Sequence, residues 1–175
     1  MTRDDLAKRI KQSAYLRGEF TLRSGRKSNV YLDKYLFETQ PDILAALGRA
    51  MAEHVTPRTT RIAGAELGGV PLAAAVSMAS GKPFIIVRNK KKDYGAAKPF
   101  EGTLNAGDVV LLVEDVATTG GQVLEAAATL KEAGAVIEKI VAVVDRQEGA
   151  RENIESAGYT FAALLTMRDV EAATG

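Results

Sequence analysis

The segment VVLLVEDVATTGG, residues 109–121, runs from five apolar, mostly β-branched residues into two adjacent acids, Glu114 and Asp115. Thr118, Thr119, Gly120 and Gly121 follow, and a helix is expected to start near Gln122. Small residues just ahead of a helix leave its first backbone N–H groups unpaired and converging. With the helix dipole behind them they suit an anion the size of a phosphate. The acids would repel that phosphate, so they must serve a neighbouring part of the same ligand. Carboxylates accept hydrogen bonds from a vicinal diol, or meet Mg²⁺ through water. A phosphate a few atoms from a diol describes a ribose 5-phosphate. The plainer alternative, an acid pair that only caps a strand-to-helix turn, explains the acids but not the TTGG beside them.

Other charged residues gather at the same sheet edge. The strand FIIV, 84–87, runs into Arg88 and the basic run RNKKK. That run opens a polar, glycine-containing segment, 88–106, far longer than an ordinary connection between strands and therefore expected to be a mobile functional loop. A basic run can be a solvated face or a nucleic-acid patch. Over a sugar-phosphate pocket, its cations would instead neutralise charge building on a leaving group such as pyrophosphate. The strand IVAVV, 140–144, ends in Asp145 and Arg146. A guanidinium fixed there suits a bidentate grip on a planar carboxylate or imide. An ion pair with Asp145 or Glu148 is the competing use of Arg146.

Several chemistries are excluded. There is no cysteine, and the single histidine, His54, sits at a helix end remote from the acids. Neither a Ser-His-Asp set nor a His-rich metal site can be assembled. The phosphate motifs G-x-x-x-x-G-K-[ST] and G-x-G-x-x-G after a strand are both absent. What remains is chemistry driven by positioning and electrostatics. A net charge of +1 gives no global reason to bind nucleic acid. The charged N-terminus and the lack of long apolar runs predict neither a signal peptide nor a membrane span, so a cytoplasmic protein is expected.

The elements that must carry these residues follow from periodicity. Residues 2–16 read as an amphipathic helix, and GEFTLRSGRKSNVYLDK as a hairpin turning at Ser24-Gly25. A capping box, Thr39 to Asp42 with Pro41 in the first turn, is expected to open a helix through about Ala52. From residue 60, short apolar strands (61–65, 84–87, 109–113, 140–144 and YTFAALLTM at the end) alternate with helices (72–80, stopped by Gly81; 122–134, with Gly134 at its C-cap; one starting at 151). That alternation predicts an α/β fold, a central parallel β-sheet covered on both faces by helices. The chain reads as one domain, 1–175, in which residues 1–56 contribute a small N-terminal cap.

VVLLVEDVATTGGQ resembles the phosphoribosyl pyrophosphate (PRPP) motif of type I phosphoribosyltransferases. GEFTLRSGRKSNVYLDK, GAELGGVPLA, RNKKKDYG, the EG at 101–102 and VVDRQEGA are similar, in the same order, to segments of the orotate phosphoribosyltransferase family. The resemblance covers about Gly18 to Asp169. It implies the type I phosphoribosyltransferase fold with a small N-terminal hood, and a homodimer whose loops close over the partner's site. It implies transfer of ribose 5-phosphate from PRPP to orotate, with Mg²⁺ held mainly by PRPP and water, in pyrimidine biosynthesis. By the same resemblance Glu114 and Asp115 face the ribose hydroxyls, and Val116, Ala117, Thr118, Thr119, Gly120, Gly121 and Gln122 cradle the 5′-phosphate. Thr118, Arg146, Arg23 and Tyr31 border orotate, and Arg88, Lys92 and Tyr94 handle pyrophosphate. Lys92 joins the acid pair as a catalytic group. The chain departs from the pattern at Asn89, where many members carry Lys, and at Tyr94, where many carry His. A purine phosphoribosyltransferase would share the PRPP loop but leave TLRSGRKSNVYLD and DRQEG unexplained. A PRPP-sensing regulator would usually add a DNA-binding segment, and no helix-turn-helix is legible before the sheet.

Overall fold

The computed structural model describes residues 1–21, 25, 27–89 and 98–174. Helix α1 (Arg3–Ala14) opens on a reciprocal capping box between Thr2 and Asp5. It ends two residues sooner than its periodicity suggests, because the chain turns extended into β1 (Tyr15–Thr21). That strand pairs antiparallel with β2 (Lys27–Leu32), giving the expected hairpin. Of its turn, Gly25 is described, in the left-handed region at φ +81°, which favours glycine. A short helix that the sequence reading did not anticipate follows: α2 (Lys34–Glu38), capped by the Asp33 carboxylate, which accepts from the Tyr35 N–H at 3.1 Å.

Helix α3 (Pro41–Ala52) has Pro41 in its first turn as expected, but the Thr39–Asp42 capping box is not formed. Both of its members are used elsewhere. The Thr39 hydroxyl donates to the Tyr35 carbonyl at 2.6 Å and closes α2, while Asp42 takes Arg9 of α1 at 2.7 Å. Gln40 stands at the cap position without a side-chain bond.

From residue 61 the chain alternates as predicted: β3 (Arg61–Ala65), α4 (Gly69–Ser80), β4 (Phe84–Val87), β5 (Phe100–Glu101), β6 (Val109–Ala117), α5 (Gly121–Glu132), β7 (Val136–Asp145), α6 (Ala150–Ser156), β8 (Phe161–Thr166) and α7 (Met167–Ala172). The strands lie in the order β5-β4-β3-β6-β7-β8, parallel throughout except for β5 at the edge. Several details differ from the sequence reading: β7 begins four residues before 140, α5 ends at Glu132 with Ala133 and not Gly134 at its C-cap, and α7 was not anticipated. Helix α4 begins at Gly69 rather than Leu72, and β6 runs four residues past Val113 because Val116 and Ala117 still pair with Val144 and Asp145 of β7. The acids therefore lie inside the strand. Within the 88–106 connection, β5 pairs back onto β4. The last strand stops at Thr166, whose side chain caps α7 in a box with Asp169.

Alternation along β6 divides the core. Leu111 and Val113 pack with α1, α3 and α4, among them Ile10, Leu47 and Leu72. Val110 and Leu112 pack with α5 and α6, among them Val123, Leu130 and Ile154. The β1–β2 hairpin is a sheet of its own, whereas α1 and α3 share the first of these cores. Close approach is needed where β3 enters α4: a Cβ on Gly64 would fall 2.0 Å from the Gly69 carbonyl oxygen.

Candidate active site

The loop after β6 turns on Gly120, whose φ of +80° favours glycine and whose added Cβ would press on Ile154 at 3.0 Å. Gly120 caps α5 without a side-chain bond, so the first N–H groups of that helix keep no side-chain partner at their cap. The loop is braced from behind by Asn153 of α6, whose amide donates to the Thr119 carbonyl at 2.9 Å. Parallel register with β7 brings in the next strand end: Ala117 pairs with Asp145, and the Arg146 N–H donates to the Ala117 carbonyl at 2.9 Å. These residues open on a cavity of about 560 Å³. Its lining includes every residue from Glu114 to Gln122, together with Arg146, Tyr31 of β2 and Lys34 of α2.

The acids are almost fully buried, Glu114 at 6% and Asp115 at 1% exposure. Their surroundings differ. Asp115 accepts from the Val116 N–H and lies 2.6 Å from the Lys34 ammonium. Burial, the largest single influence, would lower the Lys34 pKa, but the Asp115 charge and its hydrogen bond, with smaller help from Tyr35 and Glu114, together outweigh it, and the net direction is up. Glu114 accepts from the Asp115 N–H at 3.3 Å through one oxygen; the other, Oε2, is buried without a hydrogen-bond partner among the described residues. Burial first, and the Asp115 charge second, raise the Glu114 pKa well above the carboxylate range. The pair is thus divided: Asp115 lies against a cation, and Glu114 is held toward its neutral form.

Arg146 is held at 3.0 Å from Glu148, so the ion pair anticipated as its competing use exists, while its Nε is buried without a hydrogen-bond partner among the described residues. Arg88 lies at the end of β4, two strands from β6, and bonds Glu101 at 3.3 Å with Glu66 at 3.9 Å. It is linked to the loop through Glu66, whose carbonyl accepts from the Gln122 amide at 2.9 Å, and through Asn89, whose side-chain oxygen lies 3.3 Å from the same amide nitrogen. Arg23, Lys92 and Tyr94 lie outside the described residues. Sequence reasoning did not single out Lys34 and Glu38. Both stand on α2, and the signal available for them was Asp33 as a cap followed by charges four residues apart.

An anion cradle and a buried acid pair at the carboxyl edge of a parallel sheet define a class of α/β protein, one whose ligand sits beyond the strand ends. The model of the phosphoribosyl transferase domain matches residues 37–162, and the chain belongs to that family. It is 46% identical over 154 residues to the orotate phosphoribosyltransferase of Methanocaldococcus jannaschii, covering 88% of each chain. It is 47% identical over 161 residues to that of Pyrococcus horikoshii, covering 90% of this chain and 87% of the relative. A solved structure of Mycobacterium tuberculosis orotate phosphoribosyltransferase in complex with PRPP superposes with a TM-score of 0.82 at 31% identity, over 97% of this chain and 98% of that one.

Proposed function

We propose that the chain is an orotate phosphoribosyltransferase, which transfers ribose 5-phosphate from PRPP to orotate and releases pyrophosphate in pyrimidine biosynthesis. The observation that carries this reading is the single cavity in which the TTGG turn, the acid pair, Arg146 and Tyr31 meet. Orotate differs from the other nucleobases in carrying a carboxylate, and Arg146 at the rim supplies a guanidinium for it. The 5′-phosphate sits on the loop from Val116 to Gln122 at the start of α5, and Thr118 lies between phosphate and base.

The reaction breaks the bond from the anomeric carbon to pyrophosphate and forms one to the orotate ring nitrogen. Positive charge grows on the ribose and negative charge on the leaving group. Asp115, buried against Lys34, stabilises the first, in a site where charges interact strongly because water is excluded. Glu114, held toward its neutral form, hydrogen-bonds the ribose hydroxyls. Arg88, with Lys92 and Tyr94, meets the pyrophosphate. Among the described residues no group of three His, Asp or Glu side chains could hold a metal ion. The donors present fit a Mg²⁺ that would be held mainly by PRPP and water, with Glu114 and Asp115 the residues that would meet it through water. When bound, that ion neutralises charge on the diphosphate.

Lys92 serving the partner's site in a homodimer, and a cytoplasmic location, complete the proposal. No helix among the described residues is long and apolar enough to cross a membrane, which is consistent with the latter. The test is ultraviolet absorbance. Orotate absorbance falls when PRPP and Mg²⁺ are added to the protein, and no fall with correctly folded protein overturns the reading.

A further inference from the structure

The carboxylate of Asp115 is contacted by segments far apart in sequence. One oxygen accepts from the Val116 N–H, and the other lies 2.6 Å from Lys34 Nζ. A third segment, the turn into α4, presses on the same side: a Cβ on Gly68 would fall 1.7 Å from Asp115 Oδ2 and 3.2 Å from Glu38 Oε1. Two carboxyls therefore converge on one point above a residue that has no side chain.

Lys34 and Glu38 stand four residues apart on α2, one above the other on a single helix face. Phe37, completely buried between them in sequence, locks the helix into the core. Glu38 is 2% exposed, and neither of its oxygens has a hydrogen-bond partner among the described residues. A buried carboxyl without a partner destabilises a fold and requires an explanation. Burial first, then the Asp115 charge, push its pKa up to about 8; Lys34 pulls it down and Asp33 pushes it up. Near neutral pH Glu38 is therefore mostly a neutral acid that offers an O–H on the side of Asp115.

We propose that Lys34 and Glu38 form a positioning pair that aims the Asp115 carboxylate into the cavity, so that ribosyl transfer depends on a helix of the N-terminal segment. The proposal rests on the ribosyl-transfer reading above. Strand β6 fixes the backbone of Asp115 and, through the Val116 N–H, one of its oxygens. Lys34 holds the other, while Glu38 and the Gly68 backbone close the space behind it. The 2.6 Å approach of Lys34 places the Asp115 carboxylate on the side of α2, whose Phe37 belongs to the core that holds α1, α3 and α4.

The test is a double-mutant cycle and a pair of Glu38 variants, with folding of each checked by circular dichroism. Lys34→Met should lower kcat by roughly 10- to 100-fold, as expected for a misplaced catalytic group, with a much smaller change in KM for PRPP. In the Asp115→Asn background the same substitution should cost less than about twofold, because its target has gone. Glu38→Leu should lower kcat, and Glu38→Gln, which keeps the shape and an N–H donor, should recover most of that loss. Equal fold-losses from Lys34→Met in both backgrounds overturn the pair, as does Glu38→Gln being no better than Glu38→Leu. The same cycle read on the Tm of ligand-free protein separates this proposal from the assigned reaction. If the wild type turns over no orotate, the reaction assignment fails. Non-additive Tm shifts for Lys34 and Asp115 then still support the contact that holds the carboxylate, and additive shifts overturn it.

Discussion

The corner between β6 and α5 and the rim contributed by α2 and β2, backed by the start of α4, meet at one cavity but are built in opposite ways. In the corner, nine consecutive residues, Glu114 to Gln122, supply acids, turn and helix start from one stretch of chain. On the rim, Tyr31 comes from β2, Lys34 and Glu38 from α2, and Gly68 from the turn into α4, brought together only because the chain folds back. A contiguous cradle keeps its geometry as long as one strand and one helix keep theirs. An assembled rim is sensitive to packing at a distance. It supplies the cation beside Asp115, whereas Glu114 is raised first by burial and then by Asp115 within the corner.

The largest expected effect lies in the corner. Asp115→Asn keeps the shape and removes the charge, and should lower kcat by about 10²-fold or more, the scale of losing one preorganised electrostatic group. Steady-state kinetics of the folded variant check this, and a near-normal kcat would reduce the acid pair to a structural cap. Gly68→Ala tests the rim without removing any polar group. Its methyl would occupy the place of Asp115 Oδ2, so kcat should fall by up to about 10²-fold while the fold survives. If the loss matched a simple loss of stability in thermal melts, the rim would not be aiming the acid.

Arg146→Ala should divide the two substrates. KM for orotate should rise by roughly 10-fold or more, the scale of a charge-assisted hydrogen bond, with much less change in KM for PRPP. Equal changes in both would assign Arg146 to its Glu148 ion pair alone.

The smallest effect concerns stability. Glu38 has a folded pKa of about 8 against an ordinary 4.5. Between those values the folded state keeps the proton and the unfolded state has lost it, so stability falls as pH rises from about 4.5 to 8. Glu38→Gln removes that slope. Denaturant titrations should show a flatter dependence from pH 5 to 8 and a gain on the order of a few kcal/mol at pH 8. An unchanged slope would mean that Glu38 titrates normally and adds no neutral acid to the rim.

The same division explains what could be read in the sequence. The parallel sheet was legible because each of its main strands is an apolar run closed by turn residues, and the corner because its chemistry is contiguous. The pairing of Val116 and Ala117 with β7 was not, since it depends on register with a strand some thirty residues away. Thr39 and Asp42 had the spacing of a capping box, but a nearer carbonyl and the guanidinium of Arg9 took them. Helix α2 is too short for periodicity to reveal, and Lys34 and Glu38 gain meaning only through Asp115, which follows Glu38 by 77 residues along the chain. Tyr31 could be assigned to the base only through family resemblance, for the same reason.

One competition measures the central claim directly. Wild-type protein is given PRPP, Mg²⁺ and an equimolar mixture of orotate, uracil, adenine, guanine and hypoxanthine, and the products are separated and identified by mass. The account predicts that orotate alone is consumed, with orotidine 5′-monophosphate and pyrophosphate formed in equal amounts. A purine nucleotide, efficient use of uracil, or no nucleotide at all would contradict it.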